Sequence, residues 1–144
     1  MQKQLYKGIA GVFFLLIGVV AFAGAQQESS GSPASMAGDA ESSRYIPYDE
    51  ASFNAAATQT RVYFFHAGWC PTCRALDRDI TENLDRIPAD VVLFKTDYDS
   101  TANLKRRYGV TYQHTLVVVD ANGELVRKWT GGDFDDILDE LAEL

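Results

Sequence analysis

Two cysteines are all that this chain of 144 residues contains, and they stand three apart in Trp69-Cys70-Pro71-Thr72-Cys73. Thiols at this spacing can close a small disulfide and reopen it. A bridge over so short a loop removes little unfolded-chain entropy, so it makes a poor structural staple. The flanking residues favour redox use. The apolar run Arg61-Val62-Tyr63-Phe64-Phe65 reads as a buried strand, and Leu76, Ile80, Leu84 and Ile87 recur at helical spacing. A strand, a tight turn and a helix that opens on Cys-x-x-Cys is the setting in which the motif signals thiol–disulfide exchange.

The start of that helix explains the spacing. Cys70 falls at the N-cap and Pro71 at the first helical position, where a missing N–H costs nothing. The free amides and the helix dipole then face the Cys70 sulfur and favour thiolate over thiol. Cys73 lies one turn further in. Cys70 is therefore the expected nucleophile and Cys73 the resolving thiol, with Trp69 as a wall beside them.

These two residues must be carried by a small domain. One domain is expected at this length, and a 47% hydrophobic composition can supply one core. The formal charge is −7, which argues against nucleic acid and anionic membrane surfaces as partners. Residues 1–25 read as an export signal. Lys3 and Lys7 give a positive start, Ile9 to Phe22 is apolar, and Ala23-Gly24-Ala25 fits small-x-small cleavage before Gln26. The apolar stretch is shorter than the roughly 20 residues of a membrane span; an uncleaved anchor is the alternative. Either way the domain is expected outside the cytoplasm, periplasmic or secreted, where disulfides persist. Residues 26–43, rich in Ser, Gly, Ala and Gln, read as a flexible linker, and the domain as 44–144.

Within the domain, Tyr45-Ile46-Pro47 reads as an edge strand and Tyr48 to Thr58 as a helix. A strand over Val62 to His66 feeds the cysteine helix, which is expected to run to about Ile87. Strands follow at Val91 to Thr96, Thr115 to Val119 and Glu124 to Trp129, with a short helix stopped by Gly109 between the first two. Asp120-Ala121-Asn122-Gly123 reads as a hairpin turn in which Asn-Gly accepts positive φ. Asp133 caps a final helix with Phe134, Ile137, Leu138 and Leu141 on one face. The order predicts an α/β domain with a mixed central sheet flanked by helices. Asp77, Asp79, Glu82 and Asp85 read as an exposed helix face, and Arg74 as a solvated helix residue.

From about Arg44 onward the chain resembles the thioredoxin family. The resemblance rests on Phe65-His66-Ala67-Gly68-Trp69-Cys70-Pro71-Thr72-Cys73, on Tyr108-Gly109-Val110 ahead of a strand, on Asn122-Gly123-Glu124 and on the terminal amphipathic helix. It implies a thioredoxin-like fold and a protein thiol–disulfide oxidoreductase without an organic cofactor. The implied partners are protein thiols and disulfides, with a membrane electron carrier to regenerate the active state; a monomer is expected.

Two departures stand out. His114, in Tyr112-Gln113-His114-Thr115, occupies the place of the family's cis-proline, and a trans bond is expected there, since cis before a non-proline residue costs about 2.5–4 kcal/mol. Phe64 aligns with the family's buried acid, which leaves water, His66 or His114 to move protons. Losing that anion removes a term against thiolate and weakly implies an oxidising couple. Trp69, Pro71, His66, His114 and Thr115 are expected to shape the substrate groove or tune the thiols, with His114 in reach of Cys70 and modulating its thiolate. The chain has no other histidine than His66 and His114. Cys70, Cys73, His66 and His114 therefore also make a zinc or copper set, and a metal-binding protein is the reading from a different class.

Overall fold

The computed structural model describes residues 44–144; the expected leader and linker lie outside the described residues. Five strands form one sheet. They are β1 (Tyr45–Pro47), β2 (Thr60–His66), β3 (Val91–Asp97), β4 (Thr115–Val119) and β5 (Leu125–Thr130). Their order across the sheet is β1-β3-β2-β4-β5. β1 and β2 run parallel to β3, while β4 lies antiparallel to β2 and to β5. The helices are α1 (Glu50–Ala55), α2 (Pro71–Glu82), α3 (Ala102–Tyr108) and α4 (Phe134–Ala142). This is the mixed, helix-flanked sheet that the order of elements predicts.

The strand at the centre explains the layers. Successive side chains of a strand point to opposite faces. Val62 and Phe64 therefore enter a core with Cys70, Cys73, Leu76 and Ile80 of the α2 side and with Phe134 and Ile137 of α4. Tyr63 and Phe65 enter a second core with Phe53 of α1 and Tyr108 of α3. Buried on both faces, β2 must be apolar throughout rather than alternating. The cysteines belong to the first core, so the pair is built into the packing of α2 on the sheet.

Several boundaries differ from the sequence reading. The first helix begins at Glu50, not Tyr48, because the Tyr48 N–H donates to the Lys95 carbonyl (2.9 Å) and prolongs the strand pairing. Asp49 then caps the helix through Ser52 N–H (2.9 Å). The cysteine helix ends at Glu82 rather than Ile87. A 3₁₀ turn, Leu84–Arg86, follows, and Ile87 is extended (ψ 126°), as the residue before Pro88 should be. In the hairpin turn only Gly123 has positive φ (76°). Its N–H donates to the Asp120 carbonyl (3.0 Å), and Asp120 Oδ1 accepts from the N–H groups of Asn122 and Glu124. The aspartate organises the turn where the Asn-Gly pair was expected to.

Two helix ends follow their sequence signals. Gly109 takes the left-handed conformation (φ 60°) and ends α3. Asp133 and Asp136 form a reciprocal capping box that starts α4. Such a cap contributes about 1 kcal/mol.

Candidate active site

Cys70 is the N-cap of α2 and Pro71 its first residue. The Cys70 sulfur accepts the Cys73 N–H at 3.1 Å and lies 3.2 Å from the Thr72 hydroxyl. The two cysteines are joined as a disulfide, with their Cα atoms 5.3 Å apart. Both are buried, Cys70 at 2% and Cys73 at 0% exposure. A sulfur that already accepts a helix-start amide is placed to carry negative charge once reduced. The turn ahead of it is held by Arg74, whose guanidinium donates to the Gly68 carbonyl (2.8 Å). Arg74 is exposed, as the solvated reading expects, and has this backbone partner in addition.

The remaining residues separate into those that join the sulfurs and those that do not. Trp69 is 59% exposed and donates from Nε1 to Asp99 (3.0 Å), which fixes an indole beside the cysteines. Thr115 is buried, and its hydroxyl meets the Tyr112 carbonyl (2.8 Å) and the Thr130 hydroxyl (2.9 Å). His114 comes to the sulfurs: one ring nitrogen and the two Sγ atoms all lie within 4.8 Å of one another. His66 is not part of that group. It is buried at the end of β2, its ring edge-on to Phe64 (5.6 Å), with Lys95 and Asp77 as charged neighbours. The four-residue set of two cysteines and two histidines is therefore not assembled.

The backbone at His114 explains its position. Its φ is 56°, the left-handed region, which histidine enters more readily than most residues. Its N–H donates to the Phe65 carbonyl (2.8 Å) and its carbonyl accepts the Gly131 N–H (2.8 Å). A proline could supply neither that N–H nor that φ. No peptide bond among the described residues is cis, so the bond before His114 is trans as expected.

Burial shifts both imidazoles. Desolvation pulls His66 below the ordinary histidine range, and the Lys95 charge adds to this. Desolvation also pulls His114 down, opposed by the Gly132 backbone. Burial thus favours the neutral form of both rings, and Nε2 of each is buried without a partner.

Asp77 corrects the exposed-face reading of α2. It accepts from the Tyr45 hydroxyl (2.7 Å) and from Lys95 (2.7 Å). Burial pushes its carboxyl up, but those hydrogen bonds and the Lys95 charge outweigh it and hold Asp77 below the usual carboxylate range. Phe64 is fully buried, its ring meeting those of His66 and His114. No acid occupies its place, and the carboxylate that pairs with Lys95 comes from α2. Only a pairing pattern between Asp77 and Lys95, 18 residues apart in sequence, could have revealed this.

A groove of about 450 Å³ opens beside the motif. Thr72 and Leu76 of α2 line one side, His114 and Gly131-Gly132 the other.

The sequence profile of the thioredoxin family matches residues 45–143. The chain belongs to the thioredoxin family. Thioredoxin H4 of Arabidopsis thaliana is 30% identical over 79 residues, 55% of this chain and 66% of that protein. A probable thioredoxin-2 of Caenorhabditis elegans is 33% identical over the same length, 55% of this chain and 54% of that protein. The chain thus spans between about half and two thirds of these curated relatives. Among solved structures, Trxlp from Edwardsiella tarda is 28% identical with a TM-score of 0.55, over 67% of this chain and 96% of that one. A reduced thioredoxin of Schistosoma mansoni, at 21% identity and TM-score 0.60, covers 70% of this chain and 98% of that one and shares the fold.

Proposed function

We propose that this thioredoxin-family protein is an extracytoplasmic thiol–disulfide oxidoreductase acting on protein thiols. One observation carries the reading: the Cys70 sulfur caps α2 and accepts the Cys73 N–H, with Cys73 as its disulfide partner. In the reducing direction the Cys70 thiolate attacks a client disulfide. A Cys70–client bond forms, the client S–S bond breaks and one client thiolate leaves. The Cys73 thiolate then attacks Cys70, the Cys70–Cys73 bond closes and the second client thiolate leaves. The client gains two electrons and the protein loses two; the oxidising direction is the reverse. Trp69 and the groove beside His114 supply surfaces for the client chain, the protein works as a monomer, and a membrane electron carrier resets the pair. Equilibration in glutathione buffers tests this: two alkylatable thiols are expected on the reduced protein and none on the oxidised, with one midpoint. A pair that stays unexchanged at every buffer ratio overturns the reading.

The location rests on the sequence of residues 1–25. Cleavage after Ala25 is expected on export, and mass spectrometry of the exported protein should find Gln26 at its N-terminus. A full-length form held in the membrane fraction would replace this with the anchored alternative.

A further inference from the structure

We propose that the reduced protein holds a thiophilic metal cation between Cys70, Cys73 and His114. The three ligand atoms lie within 4.8 Å of one another. Around one zinc-like ion, with M–S near 2.3 Å and M–N near 2.0–2.1 Å, ligand atoms stand about 3.5–4 Å apart. On reduction the two sulfurs part toward that separation, with a His114 ring nitrogen already within 4.8 Å of both. The second observation is His114 itself. It is 7% exposed, and its Nε2 is buried without any hydrogen-bond partner. Leaving such an atom unsatisfied is costly, and a cation ligated through Nε2 together with the sulfurs would satisfy it.

The ligand is also held in place. His114 is fixed by backbone hydrogen bonds from its own N–H to Phe65 and from Gly131 to its carbonyl, and its ring rests on that of Phe64 (5.8 Å). Cys70 and Cys73 are fixed by the first turn of α2. Two thiolates and an imidazole select soft or borderline ions, zinc or Cu(I), over calcium and magnesium, which take oxygen ligands. Three donors complete a trigonal Cu(I) shell and leave one position of a zinc tetrahedron open. The groove lined by His114 and Thr72 adjoins the site.

Such a site is gated by the redox state. Binding displaces the proton of each thiol. When a protein disulfide oxidises the loaded site, the Cys70–Cys73 bond forms, the client S–S bond breaks and two electrons pass to the client. The ion leaves with its charge unchanged, because its sulfur donors are gone. This release step rests on the exchange reaction proposed above; binding itself does not.

The full chain, reduced with a phosphine under anaerobic conditions, should be titrated with Zn²⁺ and separately with Cu⁺ against chromophoric chelators. Co²⁺ serves as a spectroscopic probe for thiolate ligation. One ion per chain is expected on the reduced protein and none on the disulfide form. His114→Asn should weaken binding at least about 100-fold and change the cobalt spectrum. Asparagine tolerates the left-handed backbone, and a circular dichroism melt confirms that the variant folds. His66→Asn should leave affinity within a few-fold. Wild-type affinity in folded His114→Asn, or no ion on the reduced wild type, overturns the proposal. Thiol counting in glutathione buffers on the same sample keeps the two readings apart: an ion bound through His114 without disulfide exchange sinks only the oxidoreductase.

Discussion

Cys70→Ser is expected to abolish the proposed thiol–disulfide exchange, and Cys73→Ser to stop it at the mixed disulfide. The first substitution leaves a hydroxyl at the helix N-cap. Serine can still accept the Cys73 N–H, so α2 keeps its cap, but the group is not ionised near neutral pH and cannot attack sulfur. Turnover should fall to the level of the buffer. The second substitution leaves the nucleophile intact and removes the thiol that resolves it. Client proteins should then accumulate in covalent adducts released by a small thiol. Burial alone does not assign the roles, since Cys70 and Cys73 are 2% and 0% exposed. The assignment comes from the amide at 3.1 Å and the helix dipole, both directed at Cys70. Non-reducing electrophoresis of both variants with a disulfide-bonded client checks this. Adducts on Cys70→Ser in place of Cys73→Ser would reverse the assignment.

The parts of this fold that local chemistry dictates are legible in the sequence, and those that depend on distant partners are not. Thr115–Val119 is a strand because a run that is β-branched at every position but Leu116, and buried on both faces, permits little else. Gly109, Asp133 and Pro71 mark helix ends because each supplies a conformation or a hydrogen bond that the terminus needs. The end of α2 was misplaced because Leu84 and Ile87 keep the helical period while Pro88 forces the preceding residue out of it. Asp77 looks solvated from the sequence because its partners, Tyr45 and Lys95, come from β1 and β3. The histidines show the same limit. His66 is four residues from Cys70 yet stands outside the metal-competent group, because β2 turns it toward Phe64, Lys95 and Asp77. His114, far along the chain, joins the sulfurs because β4 pairs with β2 and its N–H docks on Phe65. The resemblance to thioredoxins implies that His114 faces the cysteines, and one of its ring nitrogens lies within 4.8 Å of both sulfurs.

Phe64→Asp is expected to produce the largest change in the thiols that leaves both cysteines present. Phe64 is fully buried in the same core as Cys70 and Cys73 and touches both imidazole rings. A carboxylate there adds a negative charge beside the sulfur that must become a thiolate. Like charges at about 6 Å interact by about 3 kcal/mol at an effective dielectric of 20. The pH at which Cys70 becomes reactive should therefore rise by one unit or more. The reduced form loses stability relative to the disulfide, and the couple becomes more reducing. The same charge should draw His66 and His114 back toward protonation, reversing the depression that burial now imposes. Folding suffers as well. Removing a buried phenylalanine costs about 3–5 kcal/mol, and a buried carboxyl adds to it, against a total stability of about 5–15 kcal/mol. Phe64→Leu separates the two effects, since it perturbs the packing without adding charge. Alkylation rate against pH and the glutathione midpoint should move in Phe64→Asp and stay in place in Phe64→Leu, while both melt below the wild type. Equal shifts in the two variants would mean that packing around the disulfide sets its chemistry, and that the missing acid has no electrostatic consequence.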